Sequence, residues 1–483
     1  MKKLISFIVA SFLITGCGTS NDNSNTPVVQ TQNPFIKEYT LNNIYSNAVI
    51  AKLIISSSTN TNDGYIFSGS ITIDQNNTDN RGDDGLIIKT DYNGSLIKAI
   101  YVMYNDENVT RSYPVNENFY DVAKSFNNIY ITITQISPTG SYSGTTNFLT
   151  LFDENLNVLS AGLYKTSLGG LYAKHVKAMN DGSFLLIGDA DVTQDEYGNI
   201  RQLGTVTKID SNGNVIWSKS YSSSQYYINY GYGSSVGDDW HYQNAVITND
   251  AIYISGYSIN SYAQSSILLI KLDLNGNFIW AKEYNRKKDD NYYPSVGYDI
   301  INIDDNLVIP FKDNDNTYTT ENYGTLKIDY NGNIIDNKIY YHGTYLDEIA
   351  LDNDNDNNIY IGYGSDFIKT DLNLIPYKSY SIYGGIKKNL EVDDYNNVLF
   401  FSFNQGGSYA QFAQAYVTKF VNDKSCNISY SSSQDINITT EHDIFETKEY
   451  NSTQTNYNNV SIIKNNYYKS GSAVNIKVID MCN

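Results

Sequence analysis

The sequence predicts an all-β fold of seven repeated four-stranded units, which is the architecture of a β-propeller. Three observations predict it. The chain is rich in tyrosine (45 residues) and poor in proline (7 residues), a composition typical of strands joined by tight turns. A strand–turn–strand pattern built on Asp-x-Asn-Gly recurs along the chain, and a second hairpin pattern precedes each copy.

The N-terminus carries the pattern of a secretory signal over residues 1–16. Two lysines precede an apolar run, Leu4 to Ile14, that is too short to span a bilayer. The run ends in Leu-Ile-Thr-Gly-Cys17, which resembles the lipobox of bacterial lipoproteins. The alternative is an ordinary signal peptide with an incidental cysteine.

The lipobox resemblance implies that Cys17 is acylated, with palmitate among the fatty acids, and that the mature chain is anchored to a membrane. Gly18 follows the cysteine where aspartate would retain a lipoprotein at the inner membrane, so the resemblance implies the outer membrane of a Gram-negative envelope. Residues 17–33 are polar and predict a flexible tether between the anchor and the folded domain.

The charge of the chain excludes one class of partner. It has 33 basic and 52 acidic residues and a net charge of −19 at pH 7. An acidic protein has no general attraction for phosphate backbones, so we expect no nucleic-acid partner.

The repeat is clearest in three segments that each contain a strand, an Asp-x-Asn-Gly turn and a second strand: 204–221, 266–284 and 324–340. Asn-Gly is a strong hairpin signal, and we expect both turn residues to adopt positive φ. Fainter copies and a degraded seventh complete the set: 85–101, 147–164, 366–380 and 415–423. Two hairpins per unit give four antiparallel strands, so seven blades are predicted over residues 34–423.

The unit resembles the seven-bladed β-propeller repeat family of bacterial exported proteins. That family's pattern is an apolar strand, Asp-x-x-Gly-Asn, a tyrosine-rich strand ending in glycine, Lys-x-Asp-x-x-Gly, and an outer strand bearing tryptophan or tyrosine. Residues 349–362 and 266–284 fit this pattern closely. The resemblance implies the fold and is nearly silent on activity.

The last blade lacks an outer strand, and the N-terminal end of the domain supplies a candidate for it. Residues 34–40 (PFIKEYT) resemble the outer strand at 279–284 (IWAKEY), so we expect the N-terminus to complete the last blade and close the ring. Closure by residues 424–432 is the alternative. Residues 424–483 are predicted to form a separate small β appendage, closed by a disulfide between Cys426 and Cys482.

Two short motifs have a functional interpretation and a structural one. Residues 233–237 match G-x-S-x-G, but no helix pattern follows, so we interpret them as a loop and expect no catalytic serine. Asp352, Asp354 and Asp356 alternate as at the start of a calcium loop, which predicts either a solvated acidic turn or a bound calcium ion. No other cofactor is predicted. Trp217 and Trp280 are expected to pack between blades.

A polar residue precedes the apolar start of each inner strand, and inner strands line the central channel of a propeller. We therefore expect a ring at the channel mouth formed by Asn47, Asp121, His175, Asn244, Asp299, Glu348 and Asn389. The alternative is that a wet channel simply tolerates polar residues. Aromatic residues in the long loop at 222–240 predict a contact surface for a protein or glycan: Tyr226, Tyr227, Tyr230, Tyr232 and Trp240.

The predicted function is a non-enzymatic binding or scaffold lipoprotein of the cell envelope that recognises a protein or glycan through this loop face. The alternative is a hydrolase or lyase acting on polysaccharide, with Asp299 and Glu348 at the channel mouth. The two differ in one feature, because an enzyme of this kind needs convergent carboxyl groups of shifted pKa in a cleft.

Overall fold

The computed structural model describes part of residues 33–482, and every described element is a β-strand. The described ranges are 33–41, 49–74, 84–104, 119–136, 146–194, 200–223, 239–259, 264–288, 291–314, 321–343, 349–363, 366–381, 387–404, 414–424, 432–435, 444–450, 455–459, 462–465, 468–469 and 476–482. Within these ranges no helix is long and apolar enough to cross a membrane. The predicted signal and Cys17 lie outside them.

Seven four-stranded antiparallel sheets follow one another along the chain, as predicted. Blade 1 comprises β2 (Val49–Asn60), β3 (Gly64–Asp74), β4 (Asp84–Asp91) and β5 (Leu96–Tyr104). Blade 2 comprises β6 (Phe119–Lys124), β7 (Ile129–Ile136), β8 (Thr146–Asp153) and β9 (Val158–Thr166). Blade 3 comprises β10 (Leu171–Ala178), β11 (Phe184–Gln194), β12 (Ile200–Ile209) and β13 (Val215–Ser223).

Blade 4 comprises β14 (Asp239–Ile247), β15 (Ala251–Ile259), β16 (Ser265–Asp273) and β17 (Phe278–Lys288), with the short β18 (Asn291–Tyr293) beside β17. Blade 5 comprises the short β19 (Ser295–Gly297) and β20 (Ile301–Ile303), then β21 (Asn306–Asn314), β22 (Glu321–Asp329) and β23 (Ile334–Gly343). Blade 6 comprises β24 (Ile349–Asn353), β25 (Ile359–Tyr363), β26 (Asp366–Thr370) and β27 (Pro376–Ser381).

The last blade contains both ends of the propeller sequence. It comprises β28 (Lys387–Val392), β29 (Val398–Asn404), β30 (Gln414–Phe420) and, as the outer strand, β1 (Phe35–Leu41). The register of β1 against β30 runs from Phe35 opposite Lys419 to Tyr39 opposite Ala415. The prediction that the N-terminal strand closes the ring is confirmed.

The Asp-x-Asn-Gly turns share one geometry, which the turn of blade 3 illustrates. Gly213 N donates to Asp210 O at 2.9 Å, and Asp210 N donates to Asn214 O at 2.9 Å. Asp210 Oδ1 also accepts from the backbone N–H groups of Asn212 and Asn214, at 2.9 and 2.7 Å. Of Asn212 and Gly213, only Gly213, which follows the two central residues of the turn, has positive φ, +78°. The expectation of two positive φ values was wrong, because the turn is of type I and the glycine forms a β-bulge after it.

The apolar core is divided into seven clusters, and each cluster joins two neighbouring blades. One of them combines Leu185 and Ile187 of blade 3 with Ile254 of blade 4, and another joins blade 7 to blade 1. Trp217 lies against Gly276 of the next blade, and Trp280 lies against Gly332 in the same way. Both tryptophans therefore pack between blades, as predicted.

The C-terminal segment is β-structure, but it does not form a separate appendage. Its strands are β31 (Ser432–Asp435), β32 (Ile444–Tyr450), β33 (Thr455–Asn459), β34 (Ile462–Asn465), β35 (Tyr468–Lys469) and β36 (Ile476–Asp480). They pair in order with the outer strands of blades 6, 4, 3, 2, 1 and 7. We call this segment the girdle. The appendage prediction is corrected, because an outer strand has unpaired N–H and C=O groups that accept a further strand.

Candidate functional site: the central channel

The inner strands of the seven blades surround a cavity of about 340 Å³ in the central channel. Its wall includes both acidic and basic side chains, contributed by several blades: Asp121, Lys124, His175, Lys177, Asp299, Asp352, Glu391 and Asp393. The cavity extends from the level of Asp121 and His175 towards the inner hairpin turns. A cavity of this size and polarity is a candidate binding site for a small or extended polar ligand.

A β-bulge fixes where the predicted polar ring lies. The inner strand is bulged immediately before Asp121, His175 and Asn244, and the same bulge precedes Ser57 in blade 1. Each of these residues lies four positions before the residue that opens the inner hairpin turn. A bulge re-aims the side chain that follows it, so these residues occupy equivalent positions.

Two members of the predicted ring are replaced by other residues. Counting back four positions from the turn places Ser57 rather than Asn47 in blade 1, and Ala350 rather than Glu348 in blade 6. Asn47 and Glu348 themselves lie outside the described residues. Asn389 follows the bulge of β28, as expected from the equivalence.

Asp121 joins three blades through its carboxylate. Its Oδ1 accepts from Ser57 Oγ of blade 1 and from Val122 N, both at 2.8 Å. Its Oδ2 accepts from Val176 N of blade 3 at 3.1 Å and lies 3.2 Å from His175 Nδ1. Burial works to raise the pKa of Asp121, but the His175 contact, the charge of Lys177 and the Ser57 hydroxyl outweigh burial and lower it.

Asp299 occupies the equivalent position in blade 5. Its Oδ1 accepts from Asn244 Nδ2 of blade 4 and from Ile300 N, the latter at 2.7 Å. Its Oδ2 accepts from Leu351 N of blade 6 at 3.3 Å. Like Asp121, this carboxylate accepts a hydrogen bond from a backbone N–H of the next inner strand. Among the described residues that strand has no strand partner on its channel side, so its N–H groups need other acceptors.

Asp352 and Glu391 lie two residues further along their inner strands and continue the pattern. Asp352 Oδ2 accepts from Val392 N of blade 7 at 2.7 Å. Burial raises the pKa of Asp352 to about 6, with a contribution from the negative charge of Asp299 and opposition from backbone N–H groups.

Glu391 continues this chain of contacts from blade 7 to blade 1. Its Oε1 accepts from Ser58 N at 2.9 Å and lies 2.6 Å from Ser57 Oγ, and its Oε2 accepts from Ser58 Oγ at 2.6 Å. Burial raises the pKa of Glu391 to about 8, and the charge of Asp121 adds to the rise, while the serine hydrogen bonds oppose it.

The junction of blades 3 and 4 is bridged by a different acid. Asp189 on β11 accepts from Tyr242 N at 3.4 Å, and its Oδ1 lies 3.3 Å from His241 Nδ1. With this contact, every one of the seven junctions has a side-chain oxygen that bonds to the neighbouring blade. The polar ring therefore holds adjacent blades together.

The three alternating aspartates do not converge on a shared point. Asp352 faces the channel, whereas Asp354 lies inside its hairpin turn and accepts from Asn358 N at 2.8 Å and from Tyr360 OH at 3.0 Å. Asp356 Oδ2 accepts from Asn396 Nδ2 of blade 7 at 3.0 Å. No group of three metal-ligating side chains is present among the described residues. Because the carboxyl groups have separate partners, these contacts fit an acidic turn rather than a calcium loop, with Asp354 buried instead of solvated.

The predicted aromatic contact surface is only partly described. Tyr226, Tyr227, Tyr230 and Tyr232 lie outside the described residues, as does the G-x-S-x-G segment. Trp240 is fully buried between blades 3 and 4 and its Nε1 donates to Glu283 Oε1 at 3.3 Å. A buried indole cannot contact a ligand at the surface, so the prediction that Trp240 is a contact residue was wrong.

Glu391, Ser57 and Lys177 are channel residues that the sequence did not single out, and Asp352 was predicted only as part of an acidic turn or calcium loop. Asp352, Glu391 and Lys177 share the position two residues after the ring position, so they lie on the same side of their strands. The signal that could have found them is a polar residue repeated at this spacing, counted from the hairpin turn rather than from the start of the strand.

No family model matches the chain, and no curated protein matches it. Solved structures with similar folds include the Dos1 propeller, at a TM-score of 0.36 and 9% identity over 77% of this chain and 93% of that one. A protein of unknown function from Bacteroides caccae has a TM-score of 0.33 and 9% identity, over 59% and 90% of the two chains. Sucrose-6-phosphate hydrolase from Lactobacillus gasseri has a TM-score of 0.32 and 11% identity, over 74% and 91%. Matches this distant carry no inference about activity.

Proposed function

We propose that the protein is a non-enzymatic binding or scaffold module of the bacterial cell envelope that recognises a protein or a glycan. The observation that supports this proposal is that the channel carboxyl groups form hydrogen bonds between blades. Asp121, Asp299 and Asp352 each accept a backbone N–H group from the next blade. A general acid or base must reach a proton of the substrate, whereas these groups are occupied in holding blades together. A ring so held is a rigid support for variable loops, where binding residues concentrate.

The proposed contact surface is the loop face that carries Tyr226, Tyr227, Tyr230 and Tyr232. The test is capture of partners from envelope extract by the unacylated Cys17→Ala chain, with and without serine at these four positions. A control replaces by serine two exposed tyrosines elsewhere on the propeller, Tyr377 in β27 and Tyr395 in the inner hairpin turn of blade 7. Loss of a captured partner only in the four-tyrosine variant supports the proposal, and equal capture by all three chains contradicts it.

The proposal includes a lipid anchor on Cys17 and residence at the outer membrane. Because acyl chains supply the membrane affinity, we expect the Cys17→Ala variant to leave the membrane fraction while its melting temperature stays unchanged. Fractionation of cells expressing each chain measures this. An alanine variant that remains in the membrane fraction contradicts the anchor.

A second candidate is a hydrolase or lyase that acts on polysaccharide, and one observation favours it. Glu391 and Asp121 lie in one cavity, and their pKa values are shifted in opposite directions. Such a pair can supply a general acid and a general base. The test is product release from envelope polysaccharides by the wild type, Glu391→Gln and the control Asp352→Asn. Activity that only Glu391→Gln abolishes supports the enzyme, and no activity in the wild type contradicts it.

A further inference from the structure

Two carboxyl groups in the channel wall are joined by a single hydroxyl. Ser57 Oγ lies 2.8 Å from Asp121 Oδ1 and 2.6 Å from Glu391 Oε1. A serine hydroxyl has one hydrogen, so it can donate to only one of the two carboxyl groups. The other short oxygen–oxygen contact needs a hydrogen from elsewhere, because two acceptors without a hydrogen between them repel each other.

The surroundings of Asp121 show where the serine hydrogen goes. The two oxygens of Asp121 face four donors, namely Ser57 Oγ, Val122 N, Val176 N and His175 Nδ1, within 2.8 to 3.2 Å. An ionised carboxylate offers about four acceptor sites. These four donors match an ionised carboxylate, so Ser57 donates its hydrogen to Asp121. The hydrogen between Ser57 Oγ and Glu391 Oε1 must therefore be on Glu391.

The contacts of Glu391 leave room for that hydrogen. Its two oxygens accept from Ser58 N and from Ser58 Oγ, and its remaining short contact is the one to Ser57 Oγ. We propose that Glu391 carries a proton at neutral pH, so that Glu391 donates to Ser57 and Ser57 donates to Asp121. The ionisable proton on Glu391 makes the contact between blades 7, 1 and 2 sensitive to pH. This hydrogen-bonded chain lies in the cavity wall, so its charge also sets the electric field that a ligand in the channel meets.

The charged groups around the cavity agree with a protonated Glu391. Asp121, Asp299, Asp352 and Asp393 contribute carboxyl groups from four blades, while Lys124, His175 and Lys177 of blades 2 and 3 contribute basic groups to the same wall. His175 and Lys177 stabilise the charge of Asp121. Burial and the charge of Asp121 raise the pKa of Glu391 to about 8, so its carboxyl group is mostly protonated at pH 7.

The sign of the effect on stability follows from linkage. The pKa of Glu391 rises from its ordinary 4.5 to about 8 on folding, so its contribution to stability is greatest in acid and is lost as the pH rises towards 8. The contribution of Asp352 to stability is also lost as the pH rises, but the pKa of Asp352 is raised only to about 6. Asp121, whose pKa is lowered, acts in the opposite direction at pH values below 4. Burial lowers the pKa of Lys419 to about 8, so Lys419 contributes mainly above pH 8, while Asp352 contributes only near pH 6. Glu391 therefore dominates the change between pH 6 and pH 8.

The experiment compares urea unfolding at pH 6 and pH 8 for the full chain, Glu391→Gln and the control Asp352→Asn. If the folded state binds one more proton than the unfolded state from pH 6 to pH 8, the unfolding equilibrium constant changes by up to about a hundredfold. We expect this change in the wild type and in Asp352→Asn, and its loss in Glu391→Gln, whose amide can still donate to Ser57. An equal change in all three chains would overturn the proposal.

A second measurement does not depend on the folding of a variant. Infrared titration of the wild type detects the carbonyl stretch of a protonated carboxyl group. We expect such a band at pH 7 that disappears with a midpoint near pH 8, the pKa of Glu391. No protonated carboxyl band at pH 7 would mean that Glu391 is ionised, which contradicts the proposal.

Discussion

Single backbone positions determine how closely neighbouring blades approach. Gly276 has a φ of +70°, and a Cβ atom there would lie 2.8 Å from the ring of Trp217 in the preceding blade. We expect Gly276→Ala to lower the free energy of unfolding by about 1–3 kcal/mol, because it combines a left-handed backbone with a steric clash. Urea unfolding measures the change. The adjacent exposed residue supplies the control, Asn275→Ala, and equal effects of the two variants would contradict the proposed contact.

At the same scale, the sequence identified some ring residues and missed others for a definite reason. Asp121 and His175 could be predicted because they precede an apolar run in the sequence. Glu348 was chosen over Ala350 because the start of a strand is a poor reference point, whereas the hairpin turn is a fixed one. The contact of Glu391 with Ser57 joins residues 334 positions apart, so it depends on ring closure and has no local pattern.

At the scale of elements, the girdle covers edges that would otherwise be open. We expect a chain that ends at Lys424 to aggregate and to melt at a lower temperature, because the outer strands β5, β9, β13, β17 and β27 and the closing strand β1 lose their added partners. Size-exclusion chromatography and thermal unfolding of the truncated and full chains measure this. A truncated chain that is monomeric with an unchanged melting temperature would show that the girdle does not protect the edges.

The closing strand β1 also bears on the predicted disulfide. Cys482 Sγ accepts from Ile36 N at 3.1 Å, and Met481 N donates to Ile36 O at 2.9 Å, so the C-terminus lies beside the start of β1. On the other side of β1, β30 leads to Lys424, two residues before Cys426. We expect a Cys426–Cys482 bond that stabilises the protein by roughly 4 kcal/mol on the chain-entropy model.

Peptide mapping without reduction tests this bond, since a linked peptide pair should appear that reduction separates. The Cys482→Ser variant should unfold at lower urea concentration than the wild type under oxidising conditions and at a similar concentration under reducing ones. Alkylation of both cysteines in the oxidised, folded protein would contradict the bond.

Sequence patterns can predict strands in the girdle but not the outer strands with which they pair. Alternation of apolar and polar residues over 473–480 predicted a strand, and β36 lies there. Most of the similar segment 435–445 lies outside the described residues. The pattern did not reveal their partners, because strand addition uses backbone groups that every sequence has in common. Only the positions of open edges in the assembled ring determine where these strands bind.

At the scale of the whole molecule, the fold was predictable because each blade is a local unit. Every blade has its own hairpins, whose turns are set by residues a few positions apart, and the repeat makes seven such units visible in one chain. Closure was predictable because β1 resembles the outer strands of other blades. The polar contacts between neighbouring blades were not predictable. They join residues 40 to 64 positions apart and, where blade 7 meets blade 1, 334 positions apart.

The channel acids hold the ring together by accepting backbone N–H groups of neighbouring inner strands. Amide hydrogen exchange at single-residue resolution tests this role at the amides of Ser58, Val176, Leu351 and Val392. These amides face a polar channel, yet each has a carboxyl acceptor within 2.7 to 3.3 Å. We expect them to exchange slowly, at rates comparable to amides within the strand ladders, because a hydrogen-bonded amide exchanges only when the structure opens. Exchange as fast as that of the exposed turn amides would contradict the claim.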